Sequence, residues 1–408
     1  MSNNSEEEEE KIGFADVLKN RNYFYLWLGK NISYFGNGIN LIALIWFVFA
    51  LTGSALDVGI LMIFRTIPTI VFGLLSGALI DRANKKAIII AADFGRGLLV
   101  LLLPFVTSVY QIYAIAFFVS TFQQFSTTSR MTLVPSMVKE KQLIVANSLY
   151  RVTSMIMDIA GPAAGGVIVG FLGTSTAFVI DAITYFISGT LILAISYKQI
   201  QKGIGSLGEL LVDVKEGLVY TWNHSVIRYL LILMAMLMFS FGFINVLAIV
   251  LVKEFLQVGA EEFGILASFQ SFGSLLGAAS MGYIAQKIKR GTIISIGIVI
   301  TGVAIMSLGF YASVALAAVL LFLAGVGLIA ISIPATTTIQ QASPEEIRGR
   351  IMGALMTVIN GSVVISMGIA GYLGDTLKVQ NVFIIVGVVL LVFSIVSYLF
   401  KPEGLDAF

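Results

Sequence analysis

Apolar residues run in long stretches along this chain, without the two-residue alternation of a half-buried strand or the narrow stripe of a surface helix. Twelve stretches come close to or exceed the roughly 20 residues that carry a helix across about 30 Å of hydrocarbon. They lie at about 23–51, 55–80, 87–106, 110–138, 145–172, 175–197, 226–251, 262–286, 292–311, 313–336, 346–373 and 379–400. With no water in the hydrocarbon, the backbone must satisfy its own polar groups, so each stretch is predicted to be α-helical. The pattern predicts an all-α integral membrane protein of twelve transmembrane helices with both termini on one side.

Composition agrees with this pattern. Of 408 residues, 58% are hydrophobic and 12% charged, about half the charge of an ordinary soluble protein. That excludes a typical soluble enzyme and an intrinsically disordered chain. The formal charge of +2 gives no case for a nucleic-acid partner. There is no cysteine and one histidine, His224, in a polar connection where it is expected at the surface. No disulfide, metal site or thiol or Ser–His catalysis is expected, and no cofactor. The P-loop pattern is absent, so ATP hydrolysis through one is excluded. Gly325 and Gly327 imitate a dinucleotide fingerprint inside an apolar stretch and are assigned to helix packing.

The sign of the loops orients the chain. Connections on the side of the termini hold 18 Lys and Arg, whereas the opposite connections hold Lys253 and Lys378. By the positive-inside rule the termini are expected to be cytoplasmic, in a cell-membrane protein. Residues 1–22 are expected to form an acidic cytoplasmic tail and 401–408 a second tail. Glu6 to Glu10 stand where a signal peptide would be positive, so no cleavable signal is expected.

Glycines disclose an internal repeat. Gly59, Gly77, Lys85, Glu140 and Gly166 meet Gly264, Gly282, Arg290, Glu345 and Gly371 at one offset, 205 residues. Two pseudo-symmetric six-helix bundles are therefore expected, 23–200 and 226–400. They are joined by a linker, 201–225, in which Leu207, Leu210, Leu211, Val214, Leu218 and Trp222 recur at helical spacing, as in an interfacial amphipathic helix.

Several motifs make the resemblance specific. The second stretch ends with Gly77, Asp81, Arg82, Lys85 and Lys86. This resembles the signature between the second and third helices of the major facilitator superfamily, with Asn84 where that family usually has Gly. The fifth contains Gly161-Pro162-Ala-Ala-Gly165-Gly166, similar to the Gly-Pro signature of the superfamily's exporters. Arg65 with Pro68, Asp93 with Arg96, Arg130 before Leu133-Val134-Pro135, Asp181-Ala182, and Pro344 to Arg350 resemble its macrolide-efflux and enterobactin-exporter branch. The resemblance covers nearly the whole chain. It implies the major facilitator fold, a conformational latch formed by Gly77, Asp81, Arg82, Lys85 and Arg130, and an exporter hinge or seal at Gly161, Pro162, Gly165 and Gly166.

Charge inside a span costs roughly 2.5 to 3.5 kcal/mol on insertion scales, so each such residue calls for a reason. Lys30, Arg65, Arg96, Arg130, Arg151, Asp93, Asp158 and Asp181 all fall in the first half. Asp93, Arg96 and Arg130 share a depth and are expected to pair, and a carboxylate held by arginine is a poor proton carrier. Asp158 has Arg151 two turns away on its own face and is the first candidate for the proton-coupling acid. Asp181 follows, with pairing to Arg65 as its alternative, and Asp93 is third. Candidates to line a substrate cavity are Lys30, Asn31, Asn37 and Asn40 of the first stretch, Gln123 and Gln124 of the fourth, and Phe239 of the seventh. Helix-to-helix hydrogen bonding is an equal reading for each asparagine.

The leading expectation is a secondary active exporter of a hydrophobic or amphipathic, macrolide-like compound by proton antiport with alternating access. Its partners are then the solute, protons and the bilayer, and it acts as a monomer. A siderophore or other anionic metabolite is the alternative cargo, and a non-transporting sensor of the same fold the alternative class. An enzyme is not expected.

Overall fold

The computed structural model describes residues 13–196, 219–402 and 405; within these, the side chains of 74, 75, 77–79, 81 and 82 are left out. The acidic run and most of the expected amphipathic linker helix lie outside the described residues, although 219–223 are helical.

Ten helices among the described residues are long and apolar enough to cross a membrane. One of them, Leu143–Leu193, contains a single non-helical residue, Gly173 at φ 82° and ψ 167°. Only glycine adopts that conformation without strain, and it divides the helix into α5 (143–172) and α6 (174–193). With Val109–Leu133, whose Ser, Thr and Gln residues make it less apolar, the long helical segments among the described residues number twelve. In order, the others are α1 Arg21–Thr52, α2 Ala55–Arg82, α3 Lys85–Val100, α4 Val109–Leu133, α7 Ser225–Val250, α8 Ala260–Lys287, α9 Arg290–Ser307, α10 Val314–Ala342, α11 Arg348–Thr376 and α12 Val379–Leu399. A single turn, Phe14–Leu18, precedes α1.

Helix ends follow ordinary capping chemistry. The Asn20 side chain accepts from the Asn22 and Tyr23 N–H groups. Asn84 caps α3 through Ala87 N–H at 3.1 Å, which gives that residue a local role. His224 sits at the start of α7, half-buried, with Nδ1 accepting from Ile227 N–H at 3.5 Å. Pro68, Pro162 and Pro334 lie inside α2, α5 and α10 without breaking them. The break at Gly173 thus falls between the fifth and sixth expected stretches.

The first six segments pack chiefly on one another, as do the last six. Exposed apolar side chains such as Ile187, Val303, Ile365 and Ile395 project outward, as a surface solvated by lipid requires. One end of the molecule, here the basic end, carries Lys85, Lys86, Lys139, Lys141, Lys287, Lys289, Arg290, Arg348 and Arg350. The other is the far end.

The halves meet chiefly where α5 crosses α8 and α2 crosses α11. Both crossings tighten toward the far end and are made of glycine. A Cβ on Gly166 would stand 2.6 Å from the Ala260 carbonyl oxygen and 2.9 Å from the Gly264 Cα; one on Gly59 would stand 2.6 Å from the Met367 carbonyl oxygen. Toward the basic end, Gly73, Gly353 and Gly361 have no atom within 4 Å of the same position. The halves therefore close at the far end and part toward the basic end.

Candidate functional site

The charges of the first half separate into three groups. At the centre of the first, Asp93 of α3 is fully buried. It pairs with Arg96 one turn on and with Arg130 of α4 at 2.5 Å. Ser188 of α6 donates to its Oδ2 at 2.6 Å, and Ser126 to its Oδ1 at 3.3 Å. Arg130 also donates to Ser126, to Ser188 and to the Leu26 carbonyl of α1, and Arg96 stacks 4.3 Å from the Tyr185 ring centre. Two guanidinium groups and two hydroxyls thus share one carboxylate, leaving Asp93 little freedom to exchange a proton. Arg130, expected in the latch, is committed to this cluster because Asp93 is its buried counter-charge. Lys85 begins α3, and the latch side chains Asp81 and Arg82, with Gly77, lie outside the description.

Asp181 of α6 forms the second group. It is fully buried, and neither carboxylate oxygen has a hydrogen-bond partner. Its Oδ1 lies so near α1 that a Cβ on Gly36 would stand 2.5 Å from it. The pairing alternative with Arg65 is not realised as an ion pair, because Arg65 points its guanidinium to the Asn40 Oδ1 at 3.4 Å. Tyr185 donates to Asn37. Asn37 and Asn40 therefore knit α1 to α6 and α2.

The third group opens to space. Arg151, Met155 and Asp158 of α5 face Gln270, Ser271 and Ser274 of α8 and Leu328 and Ile329 of α10 across a cavity of about 260 Å³. Lys30 and Tyr34 of α1 stand behind Asp158. Arg151 and Asp158 are 7 residues apart, which puts about 10 Å of rise between them, and they do not pair. Toward the far end the cavity stops where Ser268 of α8 donates to the Ile159 carbonyl at 2.7 Å. Gln270 also lines a smaller, apolar chamber of about 80 Å³ between α1, α2, α7 and α8.

Other expected cavity residues are placed elsewhere. Lys30 is buried against α5, with Nζ donating to Ser154 and lying 3.7 Å and 4.5 Å from the Tyr150 and Tyr34 ring centres. Cation–π contact and a hydroxyl thus take the place of water around its ammonium. Asn31 is buried and donates to the Trp27 carbonyl of its own helix. Gln124 reaches Ser76 of α2 and Thr128, and Gln123 is half-buried. Phe239 lines a larger groove of about 680 Å³ between α7, α11 and α12, where Asn223 and Ser362 are the polar residues. That groove has little with which to orient a polar group.

The exporter signature packs closely on both of its sides. Gly161 and Gly165 lie against Gly38 and Ile39 of α1, while Gly166 and the Pro162 carbonyl lie against Gly264 of α8. Residues 13–407 match the model of the family described as transmembrane secretion effector. The chain belongs to this family of major facilitator transporters.

Similar curated proteins agree. The chain is 26% identical over 386 residues to the multidrug efflux pump Tap of Mycolicibacterium fortuitum, covering 90% of this chain and 92% of that one. It is 20% identical over 385 residues to macrolide efflux protein A of Streptococcus pyogenes, covering 92% and 94%. Among solved structures, the nucleoside transporter NupG superposes with a TM-score of 0.79 at 14% identity, covering 93% of this chain and 99% of that one. The last likeness speaks for the fold alone. The protein is a multi-pass membrane transporter of the major facilitator fold, not an enzyme. Sequence reading missed Tyr34, Ser126, Ser154, Ser188, Ser268 and Gln270. Serines are ordinary in membrane helices, where the hydroxyl usually returns to its own backbone.

Proposed function

We propose that this protein exports an amphipathic compound across the cell membrane by proton antiport, with the basic end cytoplasmic. The observation that carries the reading is the cavity on the basic side of the Ser268–Ile159 contact. Its polar wall of Arg151, Asp158, Gln270, Ser271 and Ser274 adjoins the apolar chamber at Gln270. A polar group of a solute fits the polar wall, with its apolar body against Leu328 and Ile329 across the same cavity. The excess of basic loop residues at that end supports its cytoplasmic side, and the curated relatives named as efflux proteins support export.

Asp158 is the coupling acid in this account, because a carboxylate that exchanges protons with an aqueous phase must be open to it. The fully buried Asp181 has no such access with the far end closed. Solute and proton meet at the same cavity, and release of one side's occupant accompanies the swing of α5 and α2 against α8 and α11. Purified protein in liposomes tests the reading: across a panel of macrolides, dyes and anionic metabolites, an imposed pH gradient should drive flux of amphipathic members. Gradient-independent leakage or no flux for the whole panel would favour a sensor.

A further inference from the structure

The first turn of α2 is capped by a residue from the other half of the molecule. Ala55 N–H donates to the Asp375 Oδ1 at 2.5 Å, Leu56 N–H to its Oδ2 at 3.2 Å, and the Ser54 hydroxyl to the same Oδ2 at 2.6 Å. Ser54 meanwhile accepts from Asp57 N–H at 3.2 Å. A helix N-terminus presents unpaired N–H groups and a partial positive charge, and here a carboxylate on the last turn of α11 satisfies both. We propose that Asp375 is the far-end latch of the transport cycle, holding α2 to α11 and released whenever that end opens.

The internal repeat sharpens the assignment. Shifting Ala55, Gly59, Met367 and Gly371 by 205 residues, forward or back, gives Ala260, Gly264, Pro162 and Gly166, the same contacts in the α5–α8 crossing. Asp375 shifted in this way falls on Gly170. There the Glu261 side chain of α8 itself lies over the glycine, and Gly259 N–H is taken by Glu262 at 2.9 Å. The α8 N-terminus therefore caps itself, whereas the α2 N-terminus depends on the opposite half. Asp375 adds a charged contact to one of two otherwise equivalent crossings, so opening the far end must first expose the N–H groups of Ala55 and Leu56.

The inference rests on the alternating-access reading but is tested apart from flux. Leu51 and Thr376 are exposed at the far end, one in each half, and the chain has no other thiol to label once both are cysteine. Spin labels at Leu51→Cys and Thr376→Cys should give one short distance in lipid nanodiscs. Adding Asp375→Asn or Asp375→Ala should raise the longer-distance population by about tenfold, an ordinary coupling between conformations. Asp375→Glu should restore the short distance, and Ser54→Ala should give an intermediate shift. Distances unchanged in both Asn and Ala variants, in monodisperse protein, would overturn the latch. Altered distances with no flux of any solute would keep the latch and fault the export reading.

Discussion

Gly166 of α5 and Gly264 of α8 touch backbone to backbone: a Cβ on Gly264 would stand 2.7 Å from the Gly166 Cα. Gly59 and Gly371 hold the same places in the α2–α11 crossing, each 205 residues from its counterpart, with the close approaches there made by Gly59 to the Met367 carbonyl and by Gly371 to Leu56. The repeat in the sequence is thus the trace of two corresponding glycine crossings between the halves. Any side chain at Gly166 must push Ala260 and Gly264 aside. Overpacking of this kind costs roughly 1 to 3 kcal/mol, and here the cost falls on the closed far end. Gly166→Val should therefore lower the unfolding temperature in detergent and weaken solute binding from the basic end. Gly73→Ala, at a position with open space, should leave both nearly unchanged. Equal effects would remove the crossing from its sealing role.

Asp93 gives a stability prediction. Removing it leaves Arg96 and Arg130 buried without a counter-charge, and breaking a buried pair costs about 3 to 5 kcal/mol. Asp93→Ala should produce a large drop in thermal stability, followed by tryptophan fluorescence or static light scattering, and little folded protein. Asp93→Leu combined with Arg130→Met should recover part of the loss. A stable Asp93→Ala protein whose proton coupling alone is changed would contradict the structural assignment.

Much of this was legible in the sequence, and the failures share a cause. Asp93 and Arg96 could be joined with Arg130 because depth in the membrane follows from residue count along a span. Rotation about a helix axis does not: in lipid a helix is apolar all round, so the pattern gives no inside direction. The packing of Lys30 on Tyr150 and the place of Phe239 in the groove between α7, α11 and α12 were therefore not legible. Which helices cross is equally silent in periodicity, so Gly264 was visible as a repeat of Gly59 but not as the partner of Gly166. Asp375 lies past an apolar stretch, where an acid reads as solvated.

Lys30 yields a prediction opposite to that of an anion selector. With its ammonium held between Tyr34, Tyr150 and Ser154, Lys30→Gln should weaken transport of acidic and neutral solutes alike and reduce thermal stability. A selective loss of acidic solutes, measured as separate affinities, would return Lys30 to the cavity.

Asp158 and Asp181 are told apart by exchange. Asp158→Asn should abolish flux driven by a pH gradient while solute-for-solute counterflow continues, because the cavity keeps its polar wall without a titrating acid. Asp181→Asn, which removes a buried unpartnered carboxylate, should retain pH-driven flux. The reverse outcome would assign the proton to Asp181.

Proton antiport requires solute and proton to move in opposite directions through this cavity. Proteoliposomes carrying a pH-sensitive dye inside, with no imposed pH gradient, test it directly. A downhill gradient of a transported amphipathic solute should drive protons the other way and shift the internal pH, and Asp158→Asn should abolish the shift. Solute movement with no accompanying pH change, in either membrane orientation, would contradict proton antiport.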